Sequence, residues 1–206
     1  MKAAVRVSLL LVAVFVSFFA HAQLMEEDTT RNEPFFKAKK FDSKCYVGFE
    51  ATAGQYLKKK AGMNLGFSLN WVINHKFVVS AKYHTLTTPL NVGYLVAPDR
   101  TDSVLLNHHF AGLGFGYILF DNKKFSFHPE LSGGWASVKF KRGNGTFRKD
   151  FGMIIPAVYG TYNASKHFRF GVGLNYRLAI AANYEGISSP DISGVSGVVF
   201  IRIGTF

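Results

Sequence analysis

Between residues 62 and 72 the chain alternates without a break: Met63, Leu65, Phe67, Leu69 and Trp71 are interleaved with Asn64, Gly66, Ser68 and Asn70, behind Gly62. Five large apolar residues spaced by two cannot share a helix face, so this segment predicts a strand with one apolar side. The same period returns along the chain. Over 44–56, Val47, Phe49, Ala51 and Ala53 oppose Gly48, Glu50, Thr52 and Gly54, and over 76–86, Phe77, Val79, Ala81 and Tyr83 oppose Ser80, Lys82 and His84. Over 104–120, Ala111, Leu113, Phe115, Tyr117 and Leu119 face away from Gly112, Gly114 and Gly116. Over 125–140, Phe125, Phe127, Leu131 and Trp135 oppose His128, Glu130, Ser132 and Gly134. A sixth strand over 148–162 aligns Phe151, Met153, Ile155, Ala157 and Tyr159 on one face. A seventh over 167–181 sets Phe168, Phe170, Val172, Leu174 and Tyr176 against Arg169, Gly171, Gly173, Asn175 and Arg177. The last, over 193–206, sets Val199, Ile201 and Ile203 against Arg202 and Gly204. Pro129 and Pro156 each remove a ladder donor from their strands.

Most of the glycines in these strands fall on the polar phase. A soluble sandwich would turn that phase to water, where glycine offers little. Inside a narrow barrel, small residues make room for a few large polar side chains. The connections carry a second pattern. Short turns at 73–75, 121–124 and 163–166 alternate with longer connections at 57–61, 87–103, 141–147 and 182–192. Tight turns at one end and longer loops at the other are the arrangement of outer-membrane barrels. The expected fold is therefore all-β: an eight-stranded antiparallel up-and-down transmembrane β-barrel over 44–206, whose first and last strands begin and finish on the short-turn, periplasmic side.

The N-terminus sharpens this picture. Lys2 and Arg6 precede an apolar stretch over 7–19, and Ala20-His21-Ala22 then offers an A-x-A cleavage site before Gln23. Residues 1–22 are expected to be an export signal, cleaved near Ala22/Gln23, and the polar segment 23–43 a periplasmic leader. The apolar stretch is shorter than the ~18–20 residues of a spanning helix, and nothing downstream reaches that length. Gln23 in place of a cysteine argues against a lipid anchor. The formal charge is +11, and loss of the signal would leave 22 basic and 13 acidic residues, or +9. Such a balance suggests nucleic acid in a cytoplasmic protein, but an export signal argues against it. Cys45 stands alone, so the chain holds no disulfide pair. Sixteen per cent aromatic residues and 20 glycines suit a barrel with aromatic girdles. Candidates for the girdles are Tyr56, Trp135, Phe151 and Tyr176 at the long-loop end, and Trp71, Phe77, Phe125, Phe168 and Phe206 at the other.

The Ala20-His21-Ala22-Gln23 junction, Phe127-His128-Pro129-Glu130-Leu131, the Pro156-containing strand and terminal Phe206 resemble the small outer-membrane barrel families. The likeness is to barrel-domain and PorT-like proteins of Bacteroidota-type envelopes and, more distantly, to OmpA/OmpX barrels. It covers the chain from Lys44 onward. It implies a bacterial outer-membrane location and contact with the barrel-assembly machinery, which reads a final-strand aromatic. One departure stands out. Phe200 and Phe206 share a phase with Arg202 and Gly204, so an apolar-phase terminal aromatic would need a bulge or a shifted register.

The polar phases supply the candidate site. Glu50, Lys82 and Glu130 come at similar heights, with Arg169 lower and Arg177 higher; together with His84 and His128 they are expected to form a plug of ion pairs in the lumen. Eight strands leave no room for an aqueous channel. His128, Glu130 and Ser132 look enzyme-like, because some small barrels deacylate lipid A with such residues. Yet same-face residues on a strand lie ~7 Å apart and should point inward. No catalytic residue, cofactor or metal is expected. The adjacent His108 and His109 should face opposite ways and cannot chelate together. Lys58, Lys59, Lys60, Lys141 and Arg142 gather at the long-loop end. They read either as contacts to lipopolysaccharide or an anionic envelope partner, or as a solvated rim. The resulting expectation is a non-enzymatic envelope protein with a structural, adhesive or secretion-accessory role. The competing readings are a soluble periplasmic lipocalin-like barrel and a lipid A-modifying barrel enzyme.

Overall fold

A computed structural model describes residues 43–56, 60–87, 90–91, 104–122, 124–142, 145–182 and 188–206, with 90–91, 104–105 and 140–142 described by backbone alone. The expected signal 1–22 lies outside these residues, as does the leader up to 42. Eight long strands follow in order: β1 (Ser43–Tyr56), β2 (Lys60–Ile73), β3 (Phe77–Leu86), β5 (Val104–Tyr117), β7 (Phe125–Arg142), β8 (Gly145–Asn163), β9 (Phe168–Ile180) and β10 (Gly194–Gly204). Two short pairings, β4 (Leu90–Asn91) and β6 (Phe120–Asp121), attach to β5 and β7, and a single helical turn, α1 (Ser189–Ile192), precedes β10.

Every long strand pairs antiparallel with its neighbour in sequence, and β1 pairs with β10, which closes the barrel. The register sets its dimensions. Pairing partners lead from Ser126 through Thr161, Gly171, Phe200, Glu50, Gly66, His84 and Phe110 back to β7 at Ala136, ten residues along. At ~3.3 Å per residue and ~4.8 Å between strands, that offset tilts the strands by roughly 40° and gives a backbone radius of roughly 8 Å. An interior so narrow is filled by side chains.

Alternation divides the residues between two environments. The outward phase carries a continuous apolar surface that includes Phe67, Trp71, Leu113, Phe115, Val172, Val199 and Ile201, with Phe115 62% and Val172 63% exposed. The inward phase forms three layers. At the short-turn end Tyr46, Val72 and Val78 pack with Ile118 and Phe206. The middle is polar and charged. Toward the other end Tyr56, Leu86, Leu106, Phe110, Val138, Phe151, Met153 and Ile155 form an apolar plug.

β8 departs from the sequence reading. Its regular apolar row, Phe151 to Tyr159, faces the lumen, while Ile154, Val158 and Tyr162 face out. Both sides of the wall are apolar at this height, so apolarity alone does not say which side a residue faces. Phe151 and Tyr56 therefore belong to the interior, not to a girdle. Trp135 (73% exposed), Trp71, Phe77, Phe125 and Phe168 do lie on the outer surface. Phe206 does not: its ring lies 4.9 Å from that of Tyr46 and beneath the Arg169 guanidinium at 4.2 Å. In β10, Phe200 and Arg202 are buried and Val199, Ile201 and Ile203 exposed, an unbroken alternation without a bulge. Gly204, at φ 156°, lets the chain leave the ladder close against Cys45 and Tyr46, where a Cβ would stand 2.6 Å from the Tyr46 Cα.

The two ends differ in their connections. Asn74 and His75, at φ 52° and 59°, are the central residues of a β-turn closed by Lys76 N–H donating to Ile73 O at 3.2 Å, within a three-residue connection between the paired Ile73 and Phe77. The Asn122 side chain accepts from the amides of Lys124 and Phe125, and Ser165 Oγ from those of His167 and Phe168, in the local bonds that favour such residues in turns. At the opposite end two expected long loops are shorter than the sequence suggests. Tyr56 pairs with Lys60, and β7 and β8 continue as a ribbon until Arg142 meets Gly145. Charged residues over 139–149 obscure this alternation. The long connections are 87–103 and 181–193. In the latter, Ser188 caps α1 through Asp191, and Ile192 and Ala182 are buried in the apolar plug.

Candidate functional site

Three strands deliver the charged groups of the central cluster, and β2 and β8 add Ser68 and Tyr159. Glu50 on β1, Lys82 on β3 and Glu130 on β7 meet in mid-lumen because the stagger brings these positions to one height. Lys82 Nζ lies 2.7 Å from Glu130 Oε1 and 3.7 Å from Glu50 Oε1, and donates to Tyr159 Oη at 3.0 Å. Glu130 is fully buried and also accepts from Ser132 Oγ (2.8 Å) and Ser80 Oγ (3.2 Å). Glu50 accepts from Ser68 Oγ (3.3 Å) and lies 3.4 Å from His84 Nε2. Glycines make the room: a Cβ at Gly114 would stand 2.6 Å from Glu130 Oε1 and 2.7 Å from Ser132 Oγ. A buried lysine shared by two carboxylates is tolerated because each group keeps charge-assisted partners.

Arg169 and Arg177 do not join this cluster. Arg177 sits higher, 3.7 Å over the Tyr56 ring, and donates to Ser196 Oγ and the Gln55 carbonyl. Arg169 sits at the short-turn end over Phe206. Their heights along β9 separate them from the carboxylates. The second cation of the layer is instead Arg202, 4.2 Å over Phe200 and 3.4 Å from His128 Nε2. Sequence reasoning left Arg202 out of the network, although its phase opposite Ile201 and Ile203 places it inward. Two carboxylates and two cations leave the layer formally neutral.

The enzyme-like trio divides between partners. Ser132 donates to Glu130, whereas His128 contacts Arg202 and packs 5.1 Å from the Tyr159 ring. All three are buried in the lumen. His108 and His109 face opposite sides: His108 is buried in the apolar plug between Tyr56 and Phe151, while His109 meets Tyr83 and Thr85 on the outer wall. Among the described residues no three His, Cys, Asp or Glu side chains gather as a metal would require.

Of the rim residues, Lys58 and Lys59 lie outside the described residues, Lys60 is half-buried, and Lys141 and Arg142 are placed by backbone only. Lys141 pairs with Thr146 and Arg142 with Gly145, so neighbours in sequence fall on opposite phases of one ribbon. The same ribbon carries exposed Lys139, Arg148 and Lys149, with Arg148 Nε 2.9 Å from Asp150 Oδ1.

A closed eight-stranded antiparallel barrel with an apolar outer surface and a filled lumen is the outer-membrane β-barrel fold, and solved structures bear this out. The chain is similar to Neisserial surface protein A at 12% identity and TM-score 0.58, covering 80% of this chain and 99% of that one. It is also similar to Ail, the attachment invasion locus protein of Yersinia pestis, crystallised with the heparin analogue sucrose octasulfate, at 13% identity and TM-score 0.51. That match covers 82% of this chain and all of Ail. No protein-family description and no curated protein sequence matches the chain.

Proposed function

We propose that the protein is a non-enzymatic outer-membrane barrel that presents its two long connections outside the cell, in a structural, adhesive or secretion-accessory role. The observation that carries this reading is the apolar belt of the exterior around a side-chain-filled interior. A soluble ligand-binding barrel needs the opposite distribution, and soluble monomers rarely expose apolar patches beyond a few hundred Å². Among the described residues the charged layer of the lumen lies between two apolar ones, which supports a filled interior over an open pore. Its His, Glu and Ser are held in structural contacts away from the lipid-facing surface, which supports a role without catalysis. Its partners on this reading are outer-membrane lipid and lipopolysaccharide, the assembly machinery that inserts the barrel, and an envelope protein met by the loops. The PorT-like resemblance favours a secretion-accessory role within this class.

The test is fractionation followed by planar-bilayer recording. The protein should partition with outer membranes, migrate faster before boiling than after, and show no stable conductance once inserted. Recovery in the soluble periplasm would overturn the membrane reading, and steady single-channel steps would overturn the filled lumen.

A further inference from the structure

The ribbon formed by the upper ends of β7 and β8 has a face that the lumen does not use. Trp135, Ser137 and Lys139 share the outward phase of β7, and Lys139 is the direct partner of Arg148 on β8. Both cations are exposed, and they lie four residues beyond the level where Trp135 pairs with Gly152. At ~3.3 Å per residue and ~40° of tilt, four residues raise them roughly 10 Å above the Trp135 ring. An interfacial tryptophan marks the edge of the hydrocarbon, and the headgroup layer beyond it is roughly 6 Å deep. The backbone of the pair therefore stands just beyond that layer, and the long Lys139 and Arg148 side chains are able to reach back to lipid phosphates.

Between these levels the outer wall is polar, which hydrocarbon alone would not favour. His109 on β5 pairs with Ser137, and its Nδ1 lies 3.0 Å from both Tyr83 Oη and Thr85 Oγ1. Nδ1 has one lone pair, so a neutral ring that accepts from one of these hydroxyls carries its proton on Nε2 as a further donor, and the other hydroxyl keeps its proton for another acceptor. Arg148 shares one edge with Asp150, but both side chains are open to solvent, 61% and 46% exposed, so this pair is weak and leaves the outer guanidinium nitrogens for another anion.

We propose that this outward sector of β3, β5, β7 and β8 binds the headgroup of a phosphorylated glycolipid, Lys139 and Arg148 holding phosphate while His109, Thr85 and Tyr83 meet sugar hydroxyls and amides. The juxtaposition calls for both parts of such a molecule: hydrogen-bonding groups at the depth of the sugar, and cations just above, over an apolar wall for the acyl chains. The proposal rests on the membrane reading above and names the contact made at the long-loop end.

The full chain, folded in detergent, is titrated with bisphosphorylated lipid A and followed by native mass spectrometry. Its heat-dependent migration is measured separately, so that failure of the barrel reading is recognised on its own. Each cation at an anionic surface is worth about fivefold, so K139Q/R148Q should weaken lipid A binding by more than about tenfold. The charge-keeping K139R/R148K pair and K166Q at the short-turn end should bind as the parent does. Dephosphorylated lipid A should bind as weakly to the parent as lipid A does to K139Q/R148Q. Equal binding by K139Q/R148Q, or equal binding of phosphatidylglycerol, would overturn the site. Inositol hexakisphosphate, a soluble polyphosphate, binding as tightly as lipid A would overturn its lipid character.

Discussion

At Lys82 three strands depend on one charge. Its ammonium lies within 4 Å of two buried carboxylates, so Lys82→Met would leave Glu50 and Glu130 facing each other without a cation between them. Breaking a buried pair in this way costs about 3–5 kcal/mol. Urea unfolding of barrels reconstituted in vesicles should show a loss of that order. Replacing Glu50, Lys82 and Glu130 together by apolar residues of similar volume should recover most of it. Glycine geometry gives a second contrast at the same scale. Gly114→Ala drives a methyl against Glu130 and Ser132 and should cost about 1–3 kcal/mol, whereas Gly133, on the outer phase with no atom within 4 Å of its ideal Cβ, accepts alanine with little change. The same unfolding assay ranks the two variants.

At the scale of elements, strands were legible where one side of the wall is polar. The boundaries read from alternation at 44–56 and 76–86 fall within a residue or two of β1 and β3, and the phase of β10 follows from its alternation alone. β8 was legible as a strand but not in its facing, because Phe151, Met153 and Ile155 meet an apolar plug as hydrophobic as lipid. The charged cluster was legible in part. Height along the strands brings Glu50, Lys82 and Glu130 together, and the same heights remove Arg169 and Arg177 from it. Arg202 stands on the polar phase opposite Ile201 and Ile203, but it shares that phase with the aromatics Phe200 and Phe206, which hides its place in the charged layer. The turn α1 could not be read at all: four residues carry no period, and what holds them is Ile192 inserted into the plug. Ile192→Ala should weaken that anchor by about 2–4 kcal/mol. Amide exchange over 189–193 should then quicken on the order of a hundredfold, while exchange in β1 and β2 stays as it was.

For the whole molecule, the question is which solvent the apolar exterior was built for, and one pair of substitutions separates the answers. Leu113 on β5 and Val172 on β9 are exposed on the outer wall, 57% and 63%, away from both ends. If water surrounded them, arginine at either position would relieve an unfavourable exposure and leave stability unchanged or raised. If lipid surrounds them, the guanidinium must be carried into hydrocarbon, at about 2–4 kcal/mol near the midplane and less toward the interfaces. Leu113→Arg and Val172→Arg should therefore each lose stability in that range in vesicles, while Arg148→Leu, above the girdle level, should change it by less than about 1 kcal/mol. In micelles, whose headgroups adapt more readily around a charge, both penalties should shrink, because snorkelling relieves them. A penalty that is large in vesicles and small in micelles identifies the lipid itself as the source. Equal stability of the parent and the arginine variants in vesicles would mean that the exterior meets another protein surface or water, and that the barrel does its work elsewhere than in a bilayer.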